Sequence, residues 1–525
     1  MDIEHQIGQK LLLAFRGKES LSPEIIQAFE NYHPSGVTLF RPFNIESPAQ
    51  IKKLNQSLQD LARELGLPLL LIATDQEGGQ LMAFGDGTPL PGNMALGATR
   101  SPELARKAGE VLGRELAAIG VNVNYAPSAD VNINPNNPVV GVRSFGEDPA
   151  LVGELAAAMI EGIQSQGVAA TVKHFPGHGD TASDSHHGLG TVPHSRERLH
   201  AVELTPFRSA LQADAKLVMT AHLGILSIDG KDAPPATLSP NILTGLLRDE
   251  LDFKGVIITD AMDMHAIRQG ELLREDSLRA AQAGADILLM TTDPQDQARA
   301  FEALLQGAKS GELSQEKLQA SLGRISELKK WLMENATSPE LGVIQCAEHM
   351  LVANEIAEKS ITLVRDEKNY LPLKLEAGKR IAVIIPVPQD LTPADTSSYI
   401  QLMLAESLRK YHSLTDEFKI PYAPSADEAT KVLEQVTEYD VIVMGTINAF
   451  AEEKQAEFVR QLLKLDKPVI NIALRLPYDL AAFPQASTFV CTYSILEPSM
   501  RAVAKAVFGH SEMTGRLPVS IPGLE

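Results

Sequence analysis

Over the first two-thirds of this 525-residue chain, short β-prone runs alternate with amphipathic helical patterns. Few folds accept that alternation, because repeated βα units force the strands into a parallel sheet. The strand-like runs are 36–40, 69–74, 121–125, 169–174, 216–222, 255–259 and 285–290. The helices between them carry start and stop signals. Ser101-Pro102 opens one that ends at Gly120, and Asp148-Pro149 opens another that ends near Gly167. A polar cap, a proline in the first turn and a glycine past the end form the expected asymmetry.

The pattern predicts an α/β protein whose first domain, residues 1–335, is a (β/α)8 TIM-type barrel. Seven strands are clear and the eighth is not, so pattern alone also admits an open doubly wound sheet. The polar residues favour the barrel. Asp75 follows LLIAT, Lys173-His174 ends AATVKH, His222 ends VMTAH and Asp260 ends GVIIT. Polar groups at four strand C-termini would converge on one face of a barrel. A second alternating set, 381–387, 439–445, 468–474 and 488–493, predicts a smaller α/β sandwich over 379–525, with 336–378 as linker.

The stretch TVKHFPGHGDTASDSHHGLG (171–190) concentrates the chemistry. It begins as a strand, breaks at Pro176-Gly177 and becomes a loop bearing His178, Asp180, Asp184, His186 and His187. Titratable groups at the C-terminal end of a barrel strand point to a reactive loop. Asp184, two residues before His186, is placed to hold an imidazole's orientation and favour its protonated form. Such a pair gives and takes a proton near neutral pH. Asp260 follows a buried apolar strand, where a carboxylate is costly unless paired or used, and nucleophile or general base fits it. Asp75 opens DQEGG, whose glycines let backbone approach a ligand. Arg143 and Lys173 are candidate donors to that ligand, with Glu147 or Asp148 and Asp130 as their alternative partners.

Composition narrows the partners. A net charge of -20 argues against nucleic acid or an anionic membrane surface. The two cysteines, Cys346 and Cys491, build neither a disulfide framework nor a zinc ribbon. The acidic N-terminus with its short apolar run reads as no signal peptide, and no apolar stretch approaches a membrane span, so a cytoplasmic setting is expected. The oligomeric state is not readable. GHGDTA fits a loose dinucleotide pattern, but no helix follows it. A metal held by His174, His178, Asp180, Asp184, His186 and His187 is a rival reading on composition, without a fixed-spacing signature to support it.

In order, the motifs TDQEGG, APSADVN, RSFGEDP, KHFPGHGDTASDSH, ELTPFR, VMTAHL, VIITDAMDM and AGADILL resemble glycoside hydrolase family 3, most closely its β-N-acetylglucosaminidase branch. SITLVRDEKNYLPL and the terminal GRLPVSIPG resemble the sandwich of two-domain members. The resemblance implies a cofactor-free retaining exo-β-N-acetylglucosaminidase acting on peptidoglycan fragments or chitooligosaccharides. Its nucleophile would be Asp260, its acid/base His186 with Asp184 as partner. Asp75, Arg143, Lys173, His174 and His222 would contact the sugar. Alternatives on the same residues are an N-acetylglucosaminide phosphorylase and a metal-dependent hydrolase. The family often continues DQEGG with GRVxR, whereas this chain has Gln80 and Ala83, losing two positive charges near the expected pocket.

Overall fold

The computed structural model of the chain describes residues 2–181 and 189–524. Eight parallel strands form the first sheet: β1 (Leu11–Ala14), β2 (Gly36–Thr38), β3 (Leu71–Thr74), β4 (Val123–Asn124), β5 (Ala169–Phe175), β6 (Leu217–Thr220), β7 (Val256–Thr259) and β8 (Leu288–Met290). Each pairs with its sequence neighbour, β8 pairs with β1, and a parallel bridge between Ile258 and Ile287 closes the ring. The sheet is therefore a barrel and the open alternative falls away. The eighth strand is β1. Its four residues, LLLA, are all buried, so no alternation marks them, and only a two-residue turn without glycine or proline, Gln9-Lys10, parts them from the helix Ile3–Gly8.

The helices start where the sequence predicts. Ser101 caps Pro102–Ala118 and Asp148 caps Pro149–Ser165, each side chain accepting an N–H of the first turn. Gly120 and Gly167 follow with φ of 81° and 78°, a backbone region that favours glycine. Leu12, Leu71, Ala73, Val123, Leu217, Met219 and Ile258 fill the barrel interior, and Ile325, Leu328 and Leu332 of the helix Gln315–Asn335 plug its N-terminal mouth. That leaves the C-terminal mouth for a site.

The C-terminal sheet runs in the order β9 (Thr362–Asp366), β14 (Thr488–Cys491), β13 (Val469–Ala473), β12 (Val441–Thr446), β10 (Ile381–Pro386), β11 (Thr415–Ile420), with β9 antiparallel to β14. The four runs read from sequence are its centre. The two strands not foreseen, TLVRD and TDEFKI, are its edges, where charged side chains blunt an exposed ladder and break the apolar signal. The stretch 336–378, read as linker, carries the helix Ala347–Ser360 and β9, so the second sheet draws on it. The chain's end returns to the barrel: Glu147 accepts from the N–H of Ser520 at 2.8 Å, and its own N–H donates to the carbonyl of Pro518 at 3.0 Å. Among the described residues no helix is long and apolar enough to cross a membrane.

The closing seam is tied by one buried acid. Asp286, fully buried, accepts from the N–H of Ile257 at 2.8 Å, from Arg248 at 2.6 Å and from Arg324 at 2.7 Å. Removing one partner of a buried ion cluster leaves uncompensated charge. Asp286→Ala is therefore expected to destabilise the barrel by about 3–5 kcal/mol, read as a lowered midpoint of its urea unfolding transition.

Candidate functional site

At the C-terminal mouth lies a cavity of about 510 Å³. Asp75, Arg143, Lys173, His174, His178 and Asp260 all line it, so six side chains from the C-terminal ends of four strands meet as the barrel topology requires. The floor is a chain of ions. Lys173 Nζ lies 2.6 Å from Asp75 Oδ1 and 2.6 Å from Glu77 Oε1. Arg143 grips Glu77 with two prongs, Nη2 to Oε1 at 2.7 Å and Nε to Oε2 at 3.0 Å. Neither cation takes the partner offered by the sequence: Glu147 is bonded to the C-terminal tail and Asp130 to His174.

Burial shapes the charges. The side chains of Lys173, Glu77 and Arg143 are 1%, 2% and 4% exposed, whereas that of Asp75 is 24% exposed. Asp75 is thus the end of the chain that a ligand meets. Burial opposes ionisation of Glu77, but Arg143 and Lys173 overcome it and draw its pKa down to about 2. Burial would likewise lower the pKa of Lys173, yet Asp75 and Glu77 raise it above the ordinary lysine value. Both groups are charged at any physiological pH.

His174 is oriented from behind. Its Nδ1 lies 2.7 Å from Asp130 Oδ2, and its Nε2 is 3.5 Å from Arg143. Asp130 also accepts the N–H of His178 at 2.7 Å. Burial again opposes its charge, and His174 and His178 hold the carboxyl well below the usual range. His178 is fully enclosed, and this desolvation lowers its pKa. Sequence reasoning did not single out Glu77 and named Asp130 only as a partner for Lys173, although both sit in quoted motifs. The signal for Glu77 was present: two residues beyond Asp75 in an extended strand, it shares that residue's face.

Asp260 leaves β7 half-buried against the cavity, its Oδ1 accepting the N–H of Ala261 at 2.8 Å. Asp263, in the turn beyond, lines the same space. His222 is not on the cavity wall. It is fully buried behind it, with Nε2 donating to the carbonyl of Ala261 at 3.0 Å and Nδ1 2.7 Å from Thr237 Oγ1. A strand-end histidine with an apolar run before it gives no sign of which way it turns. Asp184, His186 and His187 lie outside the described residues.

One wall comes from the C-terminal sheet domain. Asp390, Pro393, Ala394, Thr396 and Tyr399 line the cavity, and Arg41 stacks 4.0 Å from the Tyr399 ring centroid across the junction. Gln80, where a cation was expected, binds this wall: its Nε2 donates to the carbonyl of Ala394 at 3.0 Å and its own carbonyl accepts the N–H of Thr396 at 3.0 Å. A buried pair, Arg475 and Asp395 at 2.9 Å, holds the segment from its own side. As for metals, among the described residues one group has suitable spacing. Asp180, His194 and Glu203 bring ligand atoms within 4.8 Å of one another.

Comparison with known proteins agrees with this architecture. Residues 3–328 match the glycosyl hydrolase family 3 N-terminal domain, and 361–525 match the family 3 C-terminal domain. The chain belongs to glycoside hydrolase family 3. It is 31% identical to beta-hexosaminidase A of Pseudoalteromonas piscicida, over 98% of this chain and 96% of that one. Among solved structures it resembles a family 3 beta-N-acetylglucosaminidase from Paenibacillus sp. FPU-7, with a TM-score of 0.94 and 36% identity over the whole of both chains. It also resembles a beta-glucoside phosphorylase, BglX, with a TM-score of 0.83 and 25% identity over 99% of this chain and 94% of that one. The family 3 barrel mouth thus holds the ion chain described above.

The depressed Glu77 pKa has a stability consequence. A carboxyl lowered from 4.5 to about 2 contributes on the order of 3 kcal/mol above pH ~4.5, lost as pH falls through about 2. Glu77→Gln is expected to be destabilised by a constant amount at neutral pH, with the gap to wild type narrowing below pH ~4.5. Urea midpoints measured from pH 7 to 2 check the sign.

Proposed function

We propose that this family 3 protein is a retaining exo-acting β-N-acetylglucosaminidase, taking terminal non-reducing N-acetylglucosamine from peptidoglycan fragments or chitooligosaccharides. The observation that carries the reading is Asp260 facing the same cavity as the Asp75–Lys173–Glu77–Arg143 chain. A carboxylate at a strand end can supply the nucleophile of retaining glycoside cleavage, and a charged floor suited to hydroxyls can hold the sugar against it. The names of the hexosaminidase and acetylglucosaminidase relatives support the sugar.

In this reading Asp75, Arg143, Lys173 and His174 bind the sugar and aim its anomeric carbon at Asp260. Asp260 attacks that carbon, the bond to the aglycone oxygen breaks, and the His186 imidazolium gives that oxygen its proton. Water then attacks the glycosyl–enzyme ester while neutral His186 takes its proton, releasing the sugar and free Asp260. Asp184 holds His186. An imidazole beside the Asp260 carboxylate suffers less like-charge repulsion than a second carboxylate would. His222 acts from behind, steadying the backbone after Asp260. The reading includes a cytoplasmic setting, which rests on the sequence.

A second outcome shares the first half of this cycle. Because the acid/base is not an anion, a phosphate dianion is a tolerable acceptor in place of water, and the likeness to a β-glucoside phosphorylase favours keeping it in view. Hydrolysis is the primary reading.

Asp260→Ala is expected to lower turnover of an aryl N-acetylglucosaminide by at least ~10⁴-fold while the fold persists by circular dichroism. A variant with near-normal rate would remove Asp260 as nucleophile. Products made by the wild type in phosphate buffer are expected to be the free sugar, and a sugar 1-phosphate as main product would displace hydrolysis. Aryl glucosides and xylosides, assayed in parallel, are expected to react far more slowly than the N-acetylglucosaminide.

A further inference from the structure

A cluster of polar side chains stands outside the cavity and takes no part in the reaction proposed above: Asp180, His194, Arg198 and Glu203. It flanks the segment whose sequence carries Asp184 and His186. The limb leading out of β5 is fixed on its inner side. Gly179 lies against Val131 so closely that a Cβ would stand 1.8 Å from that carbonyl oxygen. Asn137 Nδ2 donates to the carbonyl of His178 at 2.8 Å. The returning limb is fixed by its own ladder, Gly190–Val192 pairing in parallel with Leu223–Ile225.

The cluster joins the two limbs directly. Asp180 Oδ2, on the first, is 2.7 Å from His194 Nε2, on the second. The same oxygen accepts from Arg198 Nη2 at 3.2 Å, and that guanidinium also donates to Glu203 Oε1 at 3.2 Å. Glu203 is buried, its side chain 3% exposed, and packs under Gly177, where a Cβ would stand 2.8 Å from the Glu203 Cβ. Asp180, His194 and Glu203 have the spacing of a metal site. Arg198, however, already donates to both carboxylates, so the chain supplies its own cation there.

We infer that the Asp180–His194–Arg198 clasp is a positioning device that sets the two limbs of the acid/base segment at a fixed separation. The inference rests on the functional reading above. A segment tied at both ends has fewer arrangements to lose when it presents a side chain to substrate. Misplacing a reacting group by about 1 Å is worth about a hundredfold in rate. The clasp residues touch no substrate, and their effect runs through the groups they hold.

A loosened clasp weakens proton delivery and leaves the Asp260 carboxylate intact, so it discriminates between leaving groups. 2,4-Dinitrophenolate departs without a proton, whereas phenolate needs one. Asp180→Asn and His194→Ala, one on each limb, are expected to lower kcat/KM for phenyl β-N-acetylglucosaminide by about ten- to a hundredfold. For the 2,4-dinitrophenyl substrate the loss is expected to stay under about threefold. If either variant fails to fold, the other decides. Equal losses on both substrates, or no loss on either, would overturn the clasp as a positioning device. A wild-type enzyme that releases neither phenol would instead overturn the functional reading beneath it.

Discussion

A chain of four ion-paired side chains at the barrel mouth, three of them held out of water and the fourth open to the cavity, governs this structure. Lys173 bridges Asp75 and Glu77, and Glu77 is gripped by Arg143. Any one of these charges alone in that setting would be strongly unfavourable, and the four persist because each is neutralised within hydrogen-bonding distance. The chain also has a direction. Glu77 is sealed beneath the cavity wall, and the chain is most open at Asp75. Its members come from three neighbouring strands, β3 to β5, and the loops that follow them, so it forms where those strands pair.

Much of this was legible in the sequence because apolar strand cores and their terminal polar residues are local patterns. Asp75, Lys173, His174 and Asp260 each follow an apolar run, and the barrel brings all of them to one face. What stayed hidden depends on long-range pairing. Arg143 had acidic neighbours at Glu147 and Asp148, yet its partner is Glu77, reached across the mouth. Glu147 is engaged instead by the chain's far end. Asp130 reads as a core acid until His174 is seen against it. His222 sits at a strand end like the others, and its inward turn toward Ala261 is decided by packing that no spacing encodes.

The same limit explains the strands that were missed. β1 is four buried apolar residues with no alternation. β9 and β11 carry charges because they edge their sheet, so the feature that protects them also conceals them. Gln80 is a milder case. Its departure from the arginine common in the family read as a missing charge, whereas its amide is engaged with the backbone of Ala394.

That contact ties two inheritances together. Asp260 and the ion chain belong to the barrel, while part of the cavity wall belongs to a separately built sheet, joined through Gln80, Thr396 and the Arg41–Tyr399 stack. Residues 390–399 therefore shape the aperture, while Asp260 and the ion chain are held by contacts of the barrel itself. Divergence among such proteins can proceed by remodelling the frame around an unchanged barrel mouth.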